Sequence, residues 1–404
     1  MLFTLIKNEL IKIFKRGKTW VIFILFGIMI FGLTFVFKSN SNLMEFYNSA
    51  EGQIESYQES LEYEKEWLEQ IKADGSAADI LSAEENIKFY QEQIEQLKKV
   101  VDNKDNPDYW KEELKLEKEN CLEYINDETI PESSKTYEKQ RVEEIDMYLD
   151  KDIKPIEDWE FDAVNFGLQF MEIVGMIILG CGIALFMSDI VSGECTPPTL
   201  KFLLVQPISR GKVLLSKFIS VVITVIGLIA GLEILVFGIL APIAGVKAWD
   251  MPQVIGTKYQ WDYSTVATQG SPSLEAVANS GHYVTRGEFL LQSFAMQILF
   301  IIACCAFVFL ISCIFKSSMI TMAISVVCTV AVNILCEMSS TIAKVAHLLF
   351  FSYSSPTQVI DGSIVYMYQN TNFSVVTGII VMVVTTIVCY LIGTFVFKKK
   401  DILI

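Results

Sequence analysis

Long apolar runs separated by polar stretches dominate the chain. Six of these runs are long enough, and carry few enough charges, to cross a bilayer as helices. They occupy residues 19–38, 165–187, 214–242, 289–314, 318–337 and 375–397. In lipid every backbone polar group needs a partner, which a helix supplies within its own segment. The pattern therefore predicts an all-α membrane protein with six transmembrane helices, five of them within residues 165–404.

The first 18 residues repeat with a helical period that separates apolar from polar positions. The apolar arc contains Leu2, Phe3, Ile6, Leu10, Ile13 and Phe14, and the opposite arc contains Asn8, Glu9, Lys12, Lys15 and Arg16. Residues 1–18 are thus predicted to form an amphipathic helix in the cytoplasmic membrane interface, with its polar arc facing water. The alternative is that this helix simply continues the first span, with a break at Gly17.

Residues 39–164 form a polar insertion whose apolar positions are spaced by threes and fours. One set contains Leu43, Tyr47, Ala50, Ile54, Tyr57, Leu61, Leu68 and Ile71, with Glu64 interrupting the series. After Asp74-Gly75-Ser76 a second set contains Ala83, Ile87, Tyr90, Ile94, Leu97 and Val101. Matching seams joined by a short turn predict a helical hairpin packed as a coiled coil. Weaker helical patterns begin after Pro107 and Pro131, and proline suits the first turn of a helix.

Charge is divided sharply between this insertion and the rest of the chain. The net charge is −15, but residues 39–164 carry 35 Asp and Glu against 14 Lys and Arg, while the remainder has a balance of +6. Thirteen of the 18 Lys and Arg outside the insertion lie on segments that would share one side of a six-span topology. The positive-inside bias makes that side cytoplasmic, with both termini, and makes residues 39–164 extracellular. A chain with this net negative charge would repel the phosphates of nucleic acid, so we expect no nucleic-acid partner.

The chain lacks the motifs of common catalytic sites. No phosphate-binding Gly-x-x-x-x-Gly-Lys-Ser/Thr occurs, and Arg210-Gly211-Lys212 lacks both the leading glycine and the final hydroxyl residue. Serine-hydrolase and zinc-protease signatures are also missing. With two histidines and no Cys-x-x-Cys, we expect no metal site, no cofactor in this chain and no catalytic residue. Cys121, the single cysteine of the insertion, cannot form a disulfide within it.

Polar residues inside the apolar runs are the main candidates for a substrate path. A carboxylate in lipid is expensive, so it should face a partner helix or a water-filled route. The candidate path residues are Gln169, Glu172, Glu233 and Asn333. The alternatives are solvation at the outer interface and hydrogen bonds that tie helices together.

The loop at 188–217 differs from its apolar neighbours because it is basic, half apolar and bounded by prolines. This composition suits docking on another protein, although a solvated connector at the lipid headgroups is the alternative. The loop resembles that of the type-2 ABC exporter permeases, with an acidic residue, a Thr-Leu pair, a Leu pair, a Pro, an Arg and a Lys in order. The matching residues are Glu194, Thr199, Leu200, Leu203, Leu204, Pro207, Arg210 and Lys217, and Lys212 lies among them. Pro198 departs from the pattern, which usually has Gly there.

The resemblance covers residues 1–38 and 165–404 and implies a function. It implies a permease in a bacterial plasma membrane whose loop 188–217 contacts a separate cytoplasmic ATP-binding subunit, where ATP and magnesium would bind. It also implies a second permease subunit, identical or different, and export of a peptide, drug or lipid-like substrate. Two alternatives are a permease that transmits force to an extracellular partner of residues 39–164, and a membrane receptor with a coiled-coil ectodomain.

Overall fold

The computed structural model describes residues 2–72, 75–103, 106–130, 135–194, 209–263 and 271–399. The chain divides into two compact units. Residues 1–34 and 162–404 form the first, here called the membrane unit, and residues 35–161 form the second, here called the acidic unit.

Helices account for most of the described chain. In chain order they are α1 (Leu2–Lys15), α2 (Gly17–Asn48), α3 (Ala50–Ile71), α4 (Ala77–Asp102), α5 (Tyr109–Asn126), α6 (Thr136–Lys151), α7 (Ala163–Met176), α8 (Ile178–Met187), α9 (Arg210–Ala244), α10 (Arg286–Ile314), α11 (Ser318–Met338), α12 (Ser340–Ala343), α13 (Pro356–Asp361), α14 (Ile364–Tyr368) and α15 (Val375–Lys399). Single 3-10 turns occur at Ser192–Glu194, Lys247–Asp250, Ala346–Leu348 and Phe350–Tyr353. The prediction of an all-α membrane protein is confirmed, apart from four short strands.

Within the described residues, five helices are long and apolar enough to cross a membrane, namely α2, α9, α10, α11 and α15. The second predicted span, 165–187, is instead two helices, α7 and α8, bent by 63°. The backbone leaves the helical region at Ile177, where φ is −135° and ψ is −37°. Nearby, the Ser354 carbonyl oxygen approaches to 2.2 Å from where a Cβ of Gly175 would stand, so only glycine fits there. The pair makes one broken span or a re-entrant segment.

The helix α10 is the centre of the membrane unit. It packs against α7, α8, α9 and α15, and more than half of its apolar stretch is buried. The residues Ala303 to Ala306 are completely buried, as are Val308 and Phe309. Small side chains at this position let neighbouring helices approach closely, which favours dispersion contacts where water supplies no driving force.

Four short strands lie between residues 245 and 288, in the part of this region that the structure describes. The strand β1 (Pro252–Ile255) pairs antiparallel with β4 (His282–Thr285), with Pro252 opposite Thr285. Between them, β2 (Tyr259–Asp262) pairs antiparallel with β3 (Ser273–Ala276). In the second pair, Tyr259 packs edge-on against Tyr366, with ring centroids 4.8 Å apart.

In its described residues, the acidic unit contains the end of α2 and two helical hairpins. In the first, α3 and α4 pack antiparallel, and the most buried seam residues are Leu68, Ala83 and Ile94. Glu64, the residue that interrupts the seam, accepts a hydrogen bond from Asn86 at 3.1 Å. A polar residue in the seam thus gains a polar partner on the opposite helix.

In the second hairpin, α5 packs against α6 around Leu114, Cys121, Ile145 and Tyr148. Arg141 donates to both carboxylate oxygens of Glu117, at 2.7 and 3.1 Å, and also to Glu144. The pairing with these carboxylates raises the pKa of Arg141, which stays charged in the fold. Bidentate geometry of this kind fixes the register of the two helices as well as neutralising charge.

Candidate functional site

The described chain contains only the two flanks of the predicted docking loop. Glu194 ends the 3-10 turn that precedes it, and Arg210 and Lys212 begin α9. The other predicted contact residues, Thr199, Leu200, Leu203, Leu204 and Pro207, lie outside the described residues. We call residues 195–208 the coupling segment, and its flanks are described next.

Asp189 anchors the flank that precedes the coupling segment. Its carboxylate accepts from Arg16 at 3.4 Å and from Lys18 at 3.2 Å, at the junction of α1 and α2. All three side chains are about one third exposed, so the pairs are partly screened by solvent. These ion pairs position the flank, because they hold it against the start of the first span.

A buried cluster of serine hydroxyls joins the same flank to two further helices. The hydroxyl of Ser312, on α10, accepts from the backbone amides of Val191 and Ser192, both at 3.1 Å. It also lies 3.3 Å from the carbonyl oxygen of Ser188, to which it donates. The Ser192 hydroxyl lies 3.5 Å from that of Ser318, at the start of α11. The turn at 188–192 is therefore fixed to α10 and α11.

A buried ion pair anchors the flank that follows the coupling segment. Lys217, on α9, is only 2% exposed and donates to Glu9 of α1 at 3.0 Å. Lys12 donates to the other carboxylate oxygen at 2.9 Å. Burial alone would raise the pKa of Glu9, but the two ammonium groups lower it more, so the net pKa lies below its usual value. The carboxylate is thereby kept ionised.

Glu9 does not lie where the helical period of the first helix predicts it. The helical period assigns Glu9 to the water-facing arc, whereas the structure buries it to 7% exposure. Lys217 explains the difference, because a carboxylate that gains a buried ammonium partner can leave water. The face of α1 that contacts α9 also includes Ile6, whose carbonyl accepts from Ser220 at 3.1 Å.

Arg210 completes the contacts around the coupling segment. It begins α9, and its guanidinium donates to the carbonyl oxygen of Lys398, near the end of α15, at 3.4 Å. Basic residues thus gather at this end of the membrane unit, which we call the basic end, and the flanks of the coupling segment contact α1, α2, α10, α11 and α15 there.

The four candidate path residues are distributed among separate contacts. Glu172, on α7, accepts from Gln358 of α13 at 3.0 Å. Glu233, on α9, accepts from Gln297 of α10 at 2.9 Å and lines a cavity of about 230 Å³. Asn333 is buried on α11 and donates to a carbonyl of its own helix, at Thr329. Gln169 is half-buried on α7. The described contacts thus give no single polar row, and two carboxylates each bind one amide.

Sequence reasoning did not find the pairing of Glu9 with Lys217 or the serine cluster. Serine is common in loops, and a basic residue at the edge of an apolar run is normal at a cytoplasmic interface. The sequence shows Lys217 as one such cation but not its partner, which lies 208 positions away.

Comparison with known proteins adds one finding. A family model described as "ABC-2 family transporter protein" matches residues 3–402, nearly the whole chain. No curated protein matches significantly. No solved structure does either.

Proposed function

We propose that this chain, which belongs to the ABC-2 transporter family, is the permease of an ATP-driven exporter. Members of this family are transporter membrane components that normally work with a cytoplasmic ATP-binding subunit. ATP and magnesium would bind the separate subunit, since the sequence contains no phosphate-binding loop. This permease would pair with a second one, identical or different, and export a peptide, drug or lipid-like substrate.

The observation that carries this proposal is the arrangement around the coupling segment. Its two flanks contact five other helices through Asp189, the serine cluster, Arg210 and the pair of Lys217 with Glu9. Close-packed elements transmit displacement because they deform little. A force applied to residues 195–208 by an ATP-binding subunit would therefore reach most of the membrane unit at once.

The charge distribution supports the orientation that this coupling requires. The basic end would lie in the cytoplasm together with both termini, and Lys398 and Lys399 close the last span there. The acidic unit would then be extracellular, where its net negative charge could select a partner of opposite charge.

Co-purification tests the proposed partnership. Arg210 and Lys212 are both exposed at the start of α9, so reversing them to Glu should not disturb the core. We expect R210E/K212E to recover at least about tenfold less ATP-binding subunit, which corresponds to about 1.4 kcal/mol. The matched control is Lys258→Glu, an exposed lysine in the strand region.

Equal recovery with wild type and R210E/K212E would overturn the assigned docking surface. Absence of any ATP-binding subunit with the wild-type protein would overturn the permease proposal itself. The thermal unfolding midpoint of each variant, measured in the same detergent, identifies a loss that comes from misfolding.

A further inference from the structure

The cavity beside Glu233 has a composition unlike that of a packing defect. It lies between α2, α7, α9 and α10 in the membrane unit and has a volume of about 230 Å³. Five aromatic side chains contribute to its wall: Phe166, Phe170, Phe237, Trp249 and Phe294. Apart from Glu233, the rest of the lining consists of aliphatic side chains, the thioether of Met171 and Gly167. Glu233 is therefore the one charged residue in the lining of an otherwise apolar and largely aromatic space.

Glu233 is incompletely paired within the described chain. Its Oε1 accepts from Gln297 Nε2 at 2.9 Å. Its Oε2 is buried and has no hydrogen-bond partner among the described residues. The lining contains no Lys, Arg or His. An ionised carboxylate in such surroundings is costly unless a cation joins it.

The aromatic wall favours an organic cation over a metal ion. Ring faces attract a cation through their quadrupole, and cages of aromatic rings recognise quaternary ammonium groups in this way. A metal ion would need several oxygen, nitrogen or sulfur ligands, whereas the lining supplies a single carboxylate. One carboxylate combined with several aromatic rings therefore suits an organic cation better than a metal ion.

Size and access limit the ligand further. A cavity of about 150 Å³ holds benzene, so this larger one holds an aromatic ring with a small ammonium group attached. The lining residues Ile234 and Leu291 are 62% and 58% exposed, so the wall reaches the apolar surface of the unit. A ligand could enter the cavity from the lipid with its aromatic ring first, and its ammonium group would then lie beside Glu233.

We propose that this cavity binds a small organic cation, an ammonium group carrying one apolar ring or a short apolar chain, with Glu233 as its counter-ion. The proposal concerns binding by this chain and does not depend on transport. A lipid tail could fill the cavity, or a proton could neutralise Glu233, and either would leave no saturable binding of the cation in the experiment below.

Isothermal titration of the purified full-length protein in lipid nanodiscs tests the proposal, with benzyltrimethylammonium as the probe. We expect saturable one-site binding of this cation and none of benzenesulfonate, an anion with the same ring. Glu233→Gln keeps an acceptor for Gln297 but removes the charge. This variant should bind the cation with an affinity at least about tenfold lower than that of wild type. The matched control Glu337→Gln removes an exposed carboxylate from α11 and should bind as wild type does.

Three results would overturn the proposal. They are no saturable cation binding to folded wild type, equal binding of the anion, and unchanged affinity in Glu233→Gln. The first result is expected if a lipid tail or a proton occupies the site. If Glu233→Gln does not fold, Val236→Phe replaces it, since this variant narrows the cavity and retains the carboxylate. Unchanged affinity of Val236→Phe for the cation would then also overturn the proposal.

Discussion

Glu9 is buried and Glu233 is half-buried in the membrane unit, and the surroundings of these two carboxylates have little in common. Glu9 accepts from two ammonium groups, at 2.9 and 3.0 Å, and both of its oxygens are used. Glu233 accepts from one neutral amide, and its second oxygen has no hydrogen-bond partner among the described residues. Glu233 also lines a cavity with aromatic walls. The first carboxylate has its charge balanced by the protein; the second does not.

The difference between these sites indicates two different roles. A carboxylate with complete pairing joins two helices and costs stability when its partner is removed. A carboxylate with an unused oxygen beside a cavity keeps the capacity to bind something further. The Glu9 site lies on the α9 flank of the coupling segment, and a firm link between α1 and α9 there would serve the force transmission proposed above. The Glu233 site, 16 positions along α9 from Lys217, would serve the proposed binding of a cation.

Lys217→Met should give the largest loss of stability. It removes the main partner of Glu9 and leaves a buried carboxylate with Lys12 alone, which costs about 3–5 kcal/mol in comparable buried pairs. Denaturant unfolding in one detergent measures the change. Lys212→Met removes an exposed cation from the same helix and should change the free energy of unfolding by less than about 0.5 kcal/mol.

A second variant separates the ion pair from the packing of the lysine stem. Glu9→Met combined with Lys217→Met should recover much of the loss, because an apolar pair of similar volume leaves no unpaired charge. A double variant as unstable as Lys217→Met alone would contradict the assignment of the loss to the unpaired carboxylate.

Gln297→Leu, at the Glu233 site, should lower the free energy of unfolding by less than Lys217→Met does. Glu233 would lose its amide donor, and an unsatisfied buried acceptor costs about 1–3 kcal/mol. Replacing both partners, as Glu233→Met with Gln297→Leu, should be close to neutral. The same unfolding measurement applies, and a double variant less stable than Gln297→Leu would show that the polar pair itself stabilises the fold.

The pH dependence at Glu9 should be the smallest of these effects. Its pKa in the fold lies below 4.5 because Lys217 and Lys12 outweigh the effect of burial. The contribution of Glu9 to stability is therefore fully present above pH 4.5. It is lost as the pH falls through the lower pKa that Glu9 has in the folded state. The difference in unfolding midpoint between wild type and Glu9→Gln should be constant near neutral pH and shrink on acidification. A difference that widens in acid would contradict this sign.

The sequence predicted the elements that depend on local composition. The bounds of α10, α11 and α15 lie within about three residues of the predicted spans, because each is an uninterrupted apolar run between polar breaks. Glu172 and Glu233 could be singled out for a similar reason, since a carboxylate inside such a run is visible without any structure.

Contacts between distant residues could not be predicted in this way. The break at Ile177 lies in an apolar run, and the carbonyl that approaches Gly175 belongs to Ser354. The helical period assigned Glu9 to water because its partner Lys217 is on another helix. The strands at 252–285 pair across an intervening hairpin, so their short alternating patterns gave no register.

The most direct test of the two-role account compares Glu9→Gln with Glu233→Gln in thermal unfolding, each with and without benzyltrimethylammonium. A ligand that binds only the folded state raises the unfolding midpoint. The account predicts that Glu9→Gln lowers the midpoint and keeps the rise caused by the ligand. Glu233→Gln should keep the midpoint and lose that rise. The account is contradicted if the ligand stabilises both variants equally, or if both substitutions lower the midpoint alike.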